Sequence, residues 1–217
     1  MINGIGSFGN VTELEERKGA KFMKKVVDTV ATWEEAKNRV LPRLVNYKWN
    51  NGENNDTLLR RKFGDLAIQV YIPMDDETRA VINKTTVEVV WKKTIDEVIE
   101  TAIENTRKNT GDPITDFLGM PILTNREKVY GASMLLDWRT RAIIGEKYEE
   151  GAWLIPSSIH EWIILPKNKN REEKVQIEEL TEMIKEVNEK QVEEADWLSD
   201  HVYEITNEGE VISHENK

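Results

Sequence analysis

Histidine is the side chain most readily recruited for acid–base catalysis near neutral pH, and the chain contains three of them. His160 lies in a short segment with Ser157, Ser158 and Glu161. A hydroxyl nucleophile needs a base within hydrogen-bond reach and a third group that orients the base. Ser158 and His160 would point to the same face of an extended strand. No glycine-flanked nucleophile elbow surrounds either serine, so the alternative is a turn and a strand in which a neighbour satisfies His160.

Asp65 is the strongest isolated carboxylate, because it stands at the start of an apolar, β-rich run. A metal-dependent or hydrolytic enzyme acting on nucleic acid would combine Asp65 with His160 and Glu161. The sequence does not itself bring these three residues together, and a turn residue at a strand start is the other interpretation of Asp65. In the segment Ser199-Asp200-His201, the aspartate is typical of capping or turn chemistry.

The sequence gives little support for a metal or cofactor site. No two histidines have the spacing of metal ligands, and there is no cysteine to supply sulfur ligands or a thiolate. The glycines at 4, 6 and 9 precede no strand–turn–helix unit that would cradle a phosphate. We therefore predict no cofactor, no metal site and no established catalytic set.

Acidic residues are concentrated near the C-terminus. Residues 1–170 contain 25 acidic and 25 basic side chains, whereas residues 171–217 contain 15 acidic and 5 basic ones. Direct binding to nucleic acid needs clustered Lys and Arg, which the sequence lacks. Five glutamates recur at spacings of three and four residues on a predicted helix: Glu179, Glu182, Glu186, Glu189 and Glu193. This stripe could imitate a phosphate backbone and occupy the groove of a basic partner, or it could be a solvated helix face.

Short helices and paired strands must position these residues. We predict a mobile leader at 1–20, then a helix from 22 to about 41 with an N-cap at Thr32 and an end at Pro42. The asparagine-rich segment 50–56 is typical of a loop.

In the rest of the chain, paired strands outnumber helical crossovers. The patterns predict a hairpin at 66–72 and 78–82, helices at 85–91 and 94–107, a loop at 109–119, strands at 122–124, 128–136, 153–155 and 159–165, helices at 139–149 and 172–194, and a final hairpin at 202–206 and 210–213. We therefore predict an antiparallel α+β fold, with residues 21–217 forming one globular domain.

No basic-then-apolar signal peptide and no apolar run of membrane-spanning length occurs in the sequence. Together with the lack of cysteine, this predicts a soluble protein of a reducing compartment, most simply the cytoplasm.

Several segments of the chain resemble a known but uncharacterised family. They include Gly64-Asp65-Leu66-Ala67-Ile68 and the segments 104–106, 123–132, 154–161, 183–189 and 198–203. From about Trp33 to Ile212 the sequence resembles a domain family of Firmicutes that is common in gut clostridia and often found on mobile elements. The family has no established activity, so the resemblance implies a context, a small accessory protein of phages or conjugative elements, and transfers no catalytic residue.

Three hypotheses of function follow. The first is a non-enzymatic binding protein, such as an anti-CRISPR inhibitor of host defence, whose acidic stripe blocks a basic effector that binds nucleic acid. The second is the enzyme built around Asp65, His160 and Glu161. The third is a housekeeping adaptor whose acidic helix is merely solvated.

Overall fold

The computed structural model describes residues 32–48, 59–75, 78–109 and 113–215. The leader predicted at 1–20, the loop predicted at 50–56 and the first part of the helix predicted from 22 lie outside these residues. Two antiparallel sheets, one of four strands and one of six, form the framework of the described chain.

The first sheet is built around one long buried strand. Strand β3 (Leu66–Pro73) pairs with β1 (Leu41–Asn46) on one side and with β2 (Arg60–Phe63) and β4 (Arg79–Val81) on the other. All residues of β3 except Pro73 are buried, which explains why its sequence is apolar except at Gln69.

Helix α2 (Ile95–Asn109) packs against the first sheet and contacts β1, β2 and β3. Its start is a capping box: Thr94 Oγ1 accepts from the Glu97 backbone N–H, and a Glu97 carboxylate oxygen accepts from the Thr94 N–H. Its buried residues Val98, Ile99 and Ala102 join the core. A short helix, α1 (Trp33–Ala36), begins with Thr32 as N-cap, as predicted.

The second sheet has the strand order β10–β9–β7–β8–β6–β5, and every neighbouring pair is antiparallel. Its strands are β5 (Ile114–Phe117), β6 (Met120–Leu123), β7 (Ala152–Ser158), β8 (Glu161–Pro166), β9 (Tyr203–Ile205) and β10 (Val211–Ser213). The connections carry α3 (Trp138–Lys147) and α4 (Glu173–Gln191).

A fully buried 3₁₀ helix, Gly131–Leu136, joins the two sheets, because it contacts β1 of the first sheet and β6 and β8 of the second. The main cluster of buried apolar side chains accordingly contains residues of both sheets. A smaller cluster, Trp153, Ile155, Ile184 and Val202, lies under α4.

The predicted α+β class with antiparallel sheets is confirmed. The β3–β4 and β9–β10 hairpins are found where the sequence predicts them, as are α2, α3 and α4. The helical segment predicted at 85–91 is a π-helix, Thr86–Val90.

Several local predictions are wrong. The helix predicted to reach about 41 ends at Ala36, and Pro42 lies within β1, an edge strand, where the missing N–H is tolerated. The loop predicted at 109–119 contains β5. The strand predicted at 128–136 is instead a turn and the 3₁₀ helix, because Tyr130 has a left-handed backbone (φ 53°) that interrupts any extended run.

Candidate functional site

The first sheet presents a polar face built by the register of its strands. Arg43 of β1 lies opposite Gln69 of β3, Leu41 lies opposite Tyr71, and Arg79 of β4 lies opposite Pro73. Opposed residues in antiparallel strands share a face, and so do every second residues along one strand. One face of this sheet therefore carries two arginines, a glutamine and a tyrosine side by side.

Arg43 is held by neutral partners. Its Nε and Nη2 donate to Gln69 Oε1 at 3.0 and 2.7 Å, and its Nη1 donates to Tyr130 Oη at 3.2 Å. Arg43 is partly buried, and no carboxylate forms an ion pair with it in the described part of the chain. Its positive charge is therefore oriented but not neutralised by a carboxylate of the described residues.

Gln69 supplies the orientation. It is 1% exposed, and its amide oxygen accepts both N–H groups of one guanidinium edge. Because an arginine can only donate, this contact fixes which end of the amide faces Arg43. The Gln69 Nε2 then has no hydrogen-bond partner among the residues that the structure describes.

Tyr130 stands at the centre of this region. Its ring meets Tyr71 edge-on at 5.1 Å and stacks on His160 at 5.7 Å between ring centroids. The guanidinium carbons of Arg43 and Arg79 lie 5.2 and 5.8 Å from its ring centroid. These distances are within the range of cation–π contacts, so the tyrosine links both arginines to the second sheet.

Gly131 makes this arrangement possible. A Cβ at this position would lie 2.3 Å from Thr124 Oγ1, 2.5 Å from the His160 carbonyl oxygen and 2.6 Å from the Asn125 amide nitrogen. The backbone after Tyr130 therefore packs directly on the turn that carries His160, an approach that only glycine permits.

Two chambers open on either side of this cluster. The first chamber, about 410 Å³, is lined by Leu41, Pro42, Tyr71, Pro73, Arg79 and Val129 among others. The second chamber, about 480 Å³, is lined by Arg43, Arg79, Val129, Tyr130, His160 and Asp196 among others. Arg79 and Val129 line both chambers, and we call the combined space the inter-sheet cleft. Each volume lies within the range of small-molecule sites.

Tyr71 is a hydrogen-bond donor within the cleft. Burial raises the pKa of Tyr71 to about 12, outweighing the lowering effect of nearby Arg79 and Arg43. The Tyr71 hydroxyl therefore keeps its proton at neutral pH.

His160 is fully engaged. Its Nδ1 accepts from the Tyr130 backbone N–H at 3.0 Å, which places the proton of the neutral ring on Nε2. That Nε2 faces Asp196 Oδ1 at 3.5 Å. Ser158 Oγ accepts from the backbone N–H of His160 and not from its ring. Of the two interpretations of this segment, the Ser–His pairing is therefore not formed, and neighbouring groups satisfy His160.

The three residues of the enzyme hypothesis have separate partners. Glu161 accepts from Ser157 Oγ at 3.3 Å, and His160 faces the inter-sheet cleft. Asp65 lies in the turn between β2 and β3 and contacts residues near the C-terminus, with Ser199 Oγ donating to it at 2.9 Å. No contact of the described residues joins the three into one site.

Asp65 belongs to a hydrogen-bonded group that we call the His201 network, comprising Asp65, Ser199, Asp200, His201, Tyr203 and Ser213. His201 Nε2 lies 3.3 Å from Asp65 and 3.0 Å from Ser213 Oγ, and its Nδ1 lies 3.0 Å from Asp200. Tyr203 donates a further hydrogen bond to Asp65.

His201 lies between two carboxylates, which favour its protonated form. Burial alone would lower the pKa of His201, but hydrogen bonds and charges from Asp65 and Asp200 together raise it above its ordinary value. The protonated form has no lone pair with which to activate Ser213. The His201 network ties the first sheet to the second.

The acidic stripe is only partly a helix surface. All five glutamates, Glu179, Glu182, Glu186, Glu189 and Glu193, are exposed. The helix ends at Gln191, however, so Glu193 lies beyond it and the predicted end at 194 is wrong. Glu179 pairs with Arg171 and Glu186 with Lys190, each at 2.6 Å.

Sequence reasoning missed Arg43, Gln69 and Arg79, because it placed the first in or beyond a helix end and treated the others as strand interior and hairpin. The available signal was the charge of Arg43, which stands two positions after Leu41 and therefore on the same face of the alternating strand β1. The link between Asp65 and His201 spans 136 positions and has no local signal.

Comparison with known proteins places part of this chain in context. Residues 110–206 match DUF5688, a family of unknown function. This match supports an uncharacterised domain family for that part of the chain, including Tyr130 and His160, and it does not reach Arg43 or Gln69. No curated protein and no solved structure matches the chain. In the described part of the chain, no helix is long and apolar enough to cross a membrane, and no cluster of three or more metal-ligating side chains occurs.

Proposed function

We propose that this protein binds a small anionic molecule in the inter-sheet cleft, with Arg43 as the principal anion contact. The observation that carries the proposal is the partly buried guanidinium of Arg43, held by Gln69 and Tyr130 and not paired with a carboxylate of the described chain. A charge withdrawn from water is unfavourable unless it is paired. An anionic ligand would supply the missing partner.

The geometry leaves Arg43 able to bind such a ligand. Three of its five N–H groups donate to Gln69 and Tyr130, which leaves two N–H groups on its Nη atoms. Arginine recognises carboxylate and phosphate well because its donors form a rigid fork. Arg79 lines the same space, and the protonated Tyr71 hydroxyl offers a further donor.

Binding is better supported than hydrolysis at this site. Both ring nitrogens of His160 face protein groups, the Tyr130 N–H and Asp196. Neither is oriented toward a serine hydroxyl, as a general base for Ser157 or Ser158 would have to be.

The test is calorimetric titration with inorganic phosphate of the native protein and of Arg43→Gln. We expect saturable binding by the native protein and at least about a tenfold loss of affinity in the variant, equivalent to about 1.4 kcal/mol. Arg171→Gln is the matched control, since it removes an exposed arginine outside the cleft and should bind normally. Equal affinities of all three proteins would exclude Arg43 as the anion contact.

We also propose a second function, in which the exposed glutamates bind a basic protein. The supporting observation is that all five are exposed, while the other side of α4 buries Gln176, Thr181, Ile184 and Asn188. Such a surface would suit an inhibitor of a basic effector that binds nucleic acid in the cytoplasm, the role that a mobile-element setting would favour.

This second proposal is tested with a variant that changes all five glutamates to glutamine and with a control of equal charge. The control changes exposed glutamates elsewhere, namely Glu88, Glu146, Glu149, Glu208 and Glu210. A salt-sensitive complex with a basic protein that the first variant loses and the control keeps would support the proposal. Equal loss in both would show that only the net charge matters.

A further inference from the structure

We propose that the ligand of the inter-sheet cleft has an anionic head and a flat apolar ring, as in an aryl phosphate or an aromatic carboxylate. This inference rests on the proposed anion-binding function and specifies its ligand class. The head would lie against Arg43 in the second chamber, and the ring would occupy the first chamber.

The first chamber has the walls that a ring requires. Leu41 and the buried Pro42 come from β1, Pro73 ends β3, and Val129 lies in the bend that follows β6. Tyr71, 5% exposed, contributes an aromatic surface to the same chamber. These apolar side chains offer contact to a flat apolar body, whereas the rest of the lining is polar and includes Asp75 and Glu127.

The two chambers adjoin one another. Arg79 and Val129 line both, so a ligand in the first chamber lies next to the chamber that contains Arg43. Among the residues that line the second chamber, the acidic one is Asp196, and its carboxylate faces His160. The anionic head is therefore expected at the arginine side of that chamber.

Gln69 is the positioning residue for this head. A glutamate at this position could hold Arg43 in the same geometry, but it would also neutralise the guanidinium and repel an anion. The neutral amide orients Arg43 and leaves its charge available to the ligand. The unpaired Gln69 Nε2 shows that this buried amide is not fully satisfied by the described protein groups alone.

The experiment compares three probes: phenyl phosphate, inorganic phosphate and phenol. The native protein should bind phenyl phosphate at least about tenfold more tightly than either of the others, because only that probe fills both chambers. Leu41→Trp should fill the first chamber and remove the advantage of phenyl phosphate over inorganic phosphate. Benzoate against acetate repeats the comparison for carboxylates.

Gln69→Glu tests the anion head separately. It should lower the affinity for both phosphates at least about tenfold, and thermal denaturation should confirm that the variant is folded. Gln69→Met is the companion variant, since it keeps the charge of Arg43 and loses its orientation, and it should retain part of the affinity.

The outcomes separate the two proposals. Equal affinities for phenyl phosphate and inorganic phosphate, both lost in Gln69→Glu, would overturn the aromatic ligand class and keep the anion site. Phenol binding as tightly as phenyl phosphate, or no anion binding at all, would overturn the proposed function itself.

Discussion

The inter-sheet cleft and the His201 network both bring polar side chains of the two sheets together. They differ in whether a carboxylate lies beside the cationic side chain. His201 is 4% exposed and lies between two carboxylates, so its cationic form is matched by the protein. Arg43 is partly buried and held by an amide and a phenol, and no carboxylate in the part of the chain that the structure describes pairs with its charge. A network whose charged groups pair with one another stabilises a fold. An oriented charge without a counter-charge can instead pair with a ligand.

The largest expected effect is the loss of Asp65. Asp65→Ala removes a carboxylate that is 9% exposed and leaves Ser199, His201 and Tyr203 without their shared acceptor. We expect the free energy of unfolding in urea to fall by about 3–5 kcal/mol. Asp96→Ala is the control, because its exposed carboxylate pairs with Arg61 at the surface and should change stability by less than about 1 kcal/mol. A similar loss of unfolding free energy in both variants would show that the His201 network contributes no more to stability than a surface ion pair.

The pH dependence of stability sharpens the same comparison. Since the folded protein raises the pKa of His201, its contribution is fully present below the unfolded pKa and is lost as pH rises through the folded pKa. Unfolding free energies measured from acid to mildly alkaline pH should decrease over that window. His201→Gln should remove this decrease, whereas His160→Gln should leave it. An unchanged profile in His201→Gln would contradict the cationic assignment.

Arg43 should behave differently from Asp65. Replacing it with methionine removes a partly buried, unpaired charge and keeps most of the apolar side-chain stem. We expect the free energy of unfolding to change by no more than about 1 kcal/mol in either direction, while phosphate binding is lost. A loss of unfolding free energy as large as that of Asp65→Ala would show that Arg43 stabilises the fold.

The smallest effect on stability is expected for the acidic stripe. Changing its five exposed glutamates to glutamine breaks two surface ion pairs and relieves repulsion between like charges. These contributions oppose each other, so the midpoint of thermal unfolding should stay close to that of the native protein. A large decrease would show that the stripe contributes to folding as well as to any binding.

The parts of the fold that sequence predicted are those with strong local patterns. Helix α2 has a capping box at Thr94 and Glu97, and β3 has an apolar run that only Gln69 interrupts. The parts it missed depend on tertiary context: Pro42 is acceptable in β1 because that strand is an edge, and the left-handed Tyr130 fits because Gly131 packs on the His160 turn.

The site follows the same division. Sequence selected His160 and Asp65 for their chemistry, and the structure gives both of them close partners. The sequence could not predict that Asp65 contacts His201 or that Arg43 contacts Gln69. Strand register and the packing of the two sheets determine these contacts, and no short stretch of sequence specifies either.

The central claim is that the oriented charge of Arg43 binds an anion. The most direct measurement is ¹H–¹⁵N NMR of the arginine side chains during titration with inorganic phosphate. The Nε–H of Arg43 donates to a buried amide oxygen, so its signal should be protected from solvent exchange and resolvable. We predict that this signal shifts saturably in the native protein and is insensitive to phosphate in Gln69→Glu. Shifts confined to exposed arginines such as Arg171, without saturation at Arg43, would contradict the account.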